Sequence, residues 1–215
     1  MSSEGRKFQK RQRIIEAAAR VFARKGFFNA SVAEIAAEAG VGKGTLYEYV
    51  ASKSDLFFAV FEWIAETSWT RARIGVDSLG APASEKLRAM GRSLVEQWSG
   101  MDDYYGLVME FWSASSSSEL RDRFKGVFQE MYSSFRGIVS GLVREGMARG
   151  EFRGDADPEA VAAALVGTWD ALILQAWFDE TFDLETTTER FLSVVLQGLA
   201  ARPDPPPEPS DGRKP

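Results

Sequence analysis

The stretch "AGVGKGTLYEYV", Ala39 to Val50, gathers three glycines, a lysine and a threonine between Gly40 and Thr45. Such residues suit a segment lying against phosphate, because glycine lets the backbone come close and lysine supplies charge. The phosphate could belong to a nucleotide or to DNA. A nucleotide-binding P-loop needs G-x-x-x-x-G-K-[ST] after a β-strand. Here Gly42-Lys43 is followed by Gly44, the position five before Gly42 is Ala37, and the segment ahead reads as helix. The nucleotide reading fails on all three points.

Upstream, Ile14, Ile15, Ala18, Val21 and Phe22 repeat at the spacing of an amphipathic helix, and Lys25-Gly26 ends it. Ser31 and Glu34 form a capping-box pattern for a short helix that turns Val32, Ile35, Ala36 and Ala39 inward. Ala39-Gly40-Val41 is a tight turn, and a third helix runs from near Gly42 to about Tyr49. Two short helices about a glycine turn make a helix-turn-helix. Its second helix presents Gly42, Lys43, Gly44, Thr45, Tyr47 and Tyr49 outward, with Leu46 and Val50 facing the core. Lys43 can neutralise a phosphate, and Thr45 and the tyrosine hydroxyls can bond phosphate oxygens or base edges. The phosphate is therefore expected to be that of double-stranded DNA.

Charge distribution agrees. Residues 1–53 hold ten Lys/Arg against five Asp/Glu, whereas the rest holds sixteen against twenty-six. A basic head on an acidic body suggests that only the head meets a polyanion. The chain lacks cysteine and histidine, which removes thiolate chemistry and the commonest catalytic base and metal ligand. No nucleophile–base set, metal site or cofactor motif is visible, so no enzyme is expected. The polar N-terminus does not read as a secretory signal, and no charge-free apolar run of about 18 residues predicts a membrane span.

Downstream, Ser52 to Asp55 repeats the capping pattern and opens a long helix burying Leu56, Phe57, Val60, Phe61 and Ile64. Further helices are expected at 84–99, 103–114, 118–149, 157–179 and 185–201, and no strand pattern is found. The sequence thus predicts an all-α protein with a flexible basic arm over 1–9 and a DNA-binding head over 10–53. A larger helical body follows over 54–201, with a disordered proline-rich tail over 202–215. Helix 157–179 is apolar on two faces. One carries Val161, Leu165, Trp169 and Leu172; the other carries Ala163, Val166, Gly167, Asp170 and Leu174. The last helix has a broad apolar arc that includes Phe191 and Val195. Ala163, Val166, Gly167, Leu174, Phe191 and Val195 are therefore expected in a four-helix interface between two copies, although burial within one copy is the plain alternative. Asp102-Asp103 reads as a helix start rather than a metal site. Glu110 and Asp170 stand in apolar surroundings, where each could meet a polar ligand group, pair with arginine or face solvent.

The segment "RIIEAAARVFARKGFFNASVAEIAAEAGVGKGTLYEYVASKSDLF" resembles the N-terminal domain of the TetR family of bacterial transcriptional regulators over residues 11–61. The resemblance implies a cytoplasmic homodimer that binds a palindromic operator. It also implies a linking fourth helix, from Ser54 to about Arg73, and a helical body whose small-molecule effector releases the DNA. By the family pattern Lys43, Thr45, Tyr47 and Tyr49 contact DNA, and Lys53 approaches a phosphate. Glu48, an anion near the DNA face, and Ala33, where some members carry a basic residue, depart from that pattern. The aromatic and methionine-rich body could be plain core or could line a cavity, and the resemblance favours a cavity for a hydrophobic effector. Trp98, Tyr105, Met109, Trp112, Phe128, Tyr132 and Trp169 are its expected wall. The alternative is a DNA-binding protein of the same fold that takes no small molecule and acts through a protein partner.

Overall fold

The computed structural model describes residues 3–74, 80–99, 102–117 and 121–201; for residues 3, 68–74, 98–99, 102–103 and 117 only the backbone is described. The expected disordered tail lies outside these residues. The elements are α1 (Ser3–Asn29), α2 (Val32–Glu38), α3 (Lys43–Tyr47), α4 (Lys53–Ile74) and α5 (Ala83–Ser99). They continue with α6 (Asp102–Ser117), α7 (Arg121–Ala148), α8 (Pro158–Phe178) and α9 (Leu184–Leu199). Among the described residues there is no strand, only an isolated bridge between Phe152 and Ala200.

The local signals act as expected. Ser31 and Glu34 form the reciprocal capping box of α2. The Ser52 hydroxyl accepts from Asp55 N–H at the start of α4 and donates to the Asp55 carboxylate. Asp157 and Asp183 cap α8 and α9 through backbone N–H groups two or three residues on. Residues 3–9 correct one expectation: they form the first turns of α1, not a flexible arm. Without a proline or glycine pair to break it, the helical run starting at Ser3 continues into the buried face of α1.

Gly26 interrupts α1 at φ 74°, ψ 163°, a region open essentially to glycine alone. The chain kinks there, leaving the N–H of Phe27 in need of a partner outside the helix. That partner is the Glu110 carboxylate of α6, at 2.8 Å.

Two clusters of buried side chains form the core. The first joins α1, α2, α3 and the N-terminal half of α4, and continues into Leu107 and Phe111 of α6 and Phe124 of α7. The core of the head thus runs past residue 53. Its aromatic rings form a chain from Phe22 to Phe57 (centroids 5.4 Å apart), Phe57 to Phe111 (4.7 Å) and Phe111 to Phe61 (4.9 Å). Aromatic pairs at 4.5–7 Å attract beyond the area they bury. The second cluster packs α5, α7, α8 and α9 around Leu87, Val139, Leu165, Trp169 and Leu192.

By length and composition alone α8 could pass for a membrane span, although Asp170 keeps its apolar run from being free of charge. Its inner face is Ala162, Leu165, Val166, Trp169 and Leu172, all buried, the first four in the second cluster. Ala163, Ala164, Gly167, Ala171 and Phe178 stay exposed.

Candidate nucleic-acid interface and ligand cavity

The helix-turn-helix is built by its turn. Gly40 adopts φ 65° and donates its N–H to Ala37, while Val41 N–H donates to Ala36. Arg13 reaches across from α1 and donates to the Ala39 carbonyl at 2.9 Å, fixing the turn against the first helix. Ile35, Ala36, Ala39 and Leu46 are buried, so α3 has one rotation about its axis. That rotation leaves Gly42, Lys43, Gly44 and Tyr47 exposed and Thr45 half-buried. Tyr47 stands 45% exposed although it is large and aromatic, which core packing does not explain. Tyr49 is half-buried against the head core. Glu48 and Ala33 are both exposed.

Lys53 sits differently from the expectation. Its ammonium donates to the Phe28 and Ala30 carbonyls at 3.2 and 2.8 Å and lies 4.6 Å from the Phe27 ring centroid. It ties the start of α4 to the end of α1 and holds the carbonyls that the kink leaves over.

Acidic side chains on α2 are also engaged. Glu38 pairs with Arg20 and Arg24 of α1, at 3.0 and 3.1 Å. Glu34 pairs with Lys25, which with the Ser31 bonds holds its carboxyl at about 2.

In the body, α4, α5, α6, α7 and α8 line a cavity of about 190 Å³. Of the expected wall residues, Tyr105, Trp112, Phe128, Tyr132 and Trp169 line it. Met109 is not among the lining residues, and Met131 of α7 supplies a flexible thioether to the wall instead. The Trp98 side chain lies outside the described residues. Phe61 and Ile64 of α4 and Phe111 of α6 also line it. Sequence reasoning assigned Phe61 and Ile64 to the core, since helical spacing alone cannot separate a core face from a cavity wall.

One carboxyl side chain enters this apolar space. Asp170 of α8 lines the cavity beside Tyr132, with which its carboxyl interacts. Burial pushes its carboxyl above the ordinary carboxylate range. Burial, then the charge of Asp170, push the Tyr105 hydroxyl up to about 12, and Tyr132 is raised by burial first and then by its interaction with Asp170. The Trp169 indole N–H is buried without a hydrogen-bond partner, close to Gly91 of α5. No group of metal-ligating side chains occurs among the described residues.

Of the residues expected between two copies, Ala163 and Gly167 are exposed on α8, and Leu174 is half-buried. Phe191 and Val195 are half-buried against the second core cluster. Val166 is a correction: it is 6% exposed and faces the core and the cavity, because it follows Leu165 on the inner arc. Ala164 and Ala171 of α8 and Val194 of α9, at 69% exposure, lie on the open face instead.

Comparison with known proteins places both halves. The family model for "Bacterial regulatory proteins, tetR family" matches residues 14–60, and that for "BetI-type transcriptional repressor, C-terminal" matches residues 83–201. The fatty acid metabolism regulator protein of Bacillus subtilis is 27% identical over 192 residues, covering 88% of this chain and 95% of its own. A TetR transcription regulator from Haloarcula marismortui superposes with a TM-score of 0.78 at 18% identity, covering 89% of this chain and 98% of the other. The Bacillus subtilis regulator FadR, in complex with stearoyl-CoA, superposes at 0.68 with 24% identity, covering 87% and 98%.

Proposed function

The chain belongs to the TetR family of bacterial regulatory proteins, and from that premise we propose that it is a cytoplasmic, dimeric repressor released from a palindromic operator by a small, mostly apolar effector. One observation carries the reading: Phe61 and Phe111 belong at once to the core of the DNA-binding head and to the wall of the cavity. A ligand that displaces either ring disturbs the packing of Phe57 and Phe22 behind it. Close-packed interiors pass such a displacement on, because they have few voids to absorb it. A ligand shifts the equilibrium only by its preference for one state; a 100-fold preference is worth about 2.7 kcal/mol.

DNA contact falls to Lys43, Thr45 and Tyr47, with Gly42 and Gly44 allowing close approach and Tyr49 at the margin. Lys53 serves the head from within, through its carbonyl bonds. In a dimer, two recognition helices would enter successive major grooves about 34–36 Å apart.

The second copy is argued from α8. A helix apolar all round is normally covered all round, yet Ala163, Ala164, Gly167 and Ala171 lie open on it. Small residues permit close helix approach, and exposed Val194 and Phe178 add apolar area beside them. The Bacillus subtilis regulator solved in complex with stearoyl-CoA, which shares this fold, supports a small-molecule effector. The cavity here is smaller than the roughly 300–1,000 Å³ usual for drug-sized ligands.

The experiment is selection of bound sequences from random DNA, followed by a screen of apolar compounds against the selected complex. A palindrome released by compounds that also alter tryptophan fluorescence is the expected result. Stable DNA binding that no compound perturbs in either readout would replace the effector with a protein partner.

A further inference from the structure

The cavity contains one carboxylate and, among the described residues, no lysine or arginine. We propose that Asp170 selects the effector's charge: the ligand is a small protonated amine whose N–H groups donate to the Asp170 carboxylate while its apolar body lies against the aromatic wall. The proposal rests on the cavity being the effector site.

Asp170 lies beside Tyr132 on the cavity wall and has no ion-pair partner among the described residues. A carboxylate offers about four acceptor sites, so capacity remains on its cavity side. Charge left uncompensated in apolar surroundings is costly. The upward displacement of its carboxyl by burial reports the same cost. An ammonium placed beside it removes that cost and adds charge-assisted hydrogen bonds, roughly twice as strong as neutral ones. The electron-rich faces of Tyr105, Tyr132 and Trp112 on the same wall favour a cation further.

The alternatives fit less well. A fatty acid or phosphate headgroup would meet Asp170 as a like charge, with no described basic wall residue to offset it. A quaternary ammonium keeps the charge but has no N–H to donate. An alcohol keeps the donor and lacks the charge. The volume, about 190 Å³, suits one ring or a short chain rather than a long acyl tail.

The test uses the full chain and four probes sharing one apolar body: 4-phenylbutylamine, its N,N,N-trimethyl derivative, 4-phenylbutan-1-ol and 4-phenylbutyrate. Affinities are read by calorimetry and tryptophan fluorescence, for the wild type and for Asp170→Asn. The amine is expected to bind at least tenfold tighter than the trimethyl derivative and the alcohol, with the carboxylate weakest. Asp170→Asn is expected to abolish the preference for the amine while leaving the alcohol within about twofold. Equal affinity for amine and alcohol in the wild type overturns the selective role of Asp170 while leaving the cavity as a site, and so does an undiminished amine preference in Asp170→Asn. A trimethyl derivative that binds as tightly as the amine overturns the hydrogen-bond requirement. Failure of all four probes to bind overturns both the proposal and the cavity reading. The wild-type series decides the matter even if the variant proves unstable.

Discussion

Glu110 accepts a 2.8 Å hydrogen bond from the backbone N–H of Phe27, 83 residues earlier in the chain. Glu110 stands on α6, next to Phe111 of the cavity wall; Phe27 stands where α1 kinks, ahead of the helix-turn-helix. The contact is thus a direct polar tie between body and head, parallel to the aromatic chain through Phe57. Removing it by Glu110→Ala should leave the Phe27 N–H unpaired and cost roughly 1–3 kcal/mol. Glu110→Gln keeps an acceptor and should cost less. Thermal melts of the two variants check the stability order. Operator titrations with and without effector check coupling, which should weaken in Glu110→Ala; an unchanged effector response would assign the coupling to the aromatic chain alone.

Gly26 should tolerate no side chain. A Cβ there would lie 2.7 Å from the Glu110 carboxylate oxygen, on a backbone conformation that L residues rarely adopt. Gly26→Ala should therefore destabilise by at least the 1–3 kcal/mol or so typical of such strain, measured by denaturant melts. A melt like that of the wild type would refute the kinked geometry.

Lys43→Ala should weaken operator binding and lower the salt slope by about one per subunit, as loss of one phosphate contact requires. Tyr47→Ala should weaken binding without changing the melt, since the ring is exposed in the free protein. Binding isotherms at several salt concentrations separate the two. Wild-type isotherms from both variants would remove α3 from the DNA interface.

Gly167→Glu is a clean probe of self-association. Gly167 is exposed, and a Cβ there meets nothing within 4 Å, so the change costs the isolated chain little beyond propensity. In an α8–α9 interface it would bury an unpaired charge. Sedimentation should show a dimer for the wild type at micromolar concentration and a shift toward monomer for the variant. A wild type that stays monomeric would discard the interface.

The head should lose stability in acid through Glu34. Its folded carboxyl titrates at about 2, below the ordinary value of 4.5, because Lys25 and the Ser31 capping bonds favour the charged form. A group depressed on folding stabilises above its unfolded pKa and loses that contribution as pH falls through the folded one. Melting temperatures taken from pH 5 to 2 should therefore fall more steeply for the wild type than for Glu34→Gln. Parallel curves would show that solvent screens the pair, which is exposed.

Asp170 carries the opposite sign. Its carboxyl is raised on folding, so its contribution falls as pH climbs from the unfolded value through the folded one. Tyr132 and Tyr105, the titratable groups with which it interacts, are themselves raised and stay neutral at pH 7. Asp170→Asn should thus raise the melting temperature of the ligand-free protein at pH 7, with the gain shrinking toward pH 4. A lower melting temperature at pH 7 would mean that the carboxylate is satisfied without a ligand.

Local interactions made much of this protein legible in its sequence. The capping boxes at Ser31 and Ser52, the turn at Gly40 and the apolar spacing of Ile14 to Phe22 each act within a few residues, so their order in the chain is enough. The same holds for the exposure of Lys43 and Tyr47, which follows once Leu46 is known to face inward. Long-range contacts decided the rest. That Phe61 and Phe111 serve the head core and the cavity together, that Lys53 spends its charge on the Phe28 and Ala30 carbonyls, and that Val166 turns inward depend on which helices become neighbours. The same is true of Glu110, whose partner is a backbone N–H freed by a kink 83 residues away. A helical repeat shows that a face is apolar, but only packing determines whether it meets a core, a cavity or open solvent.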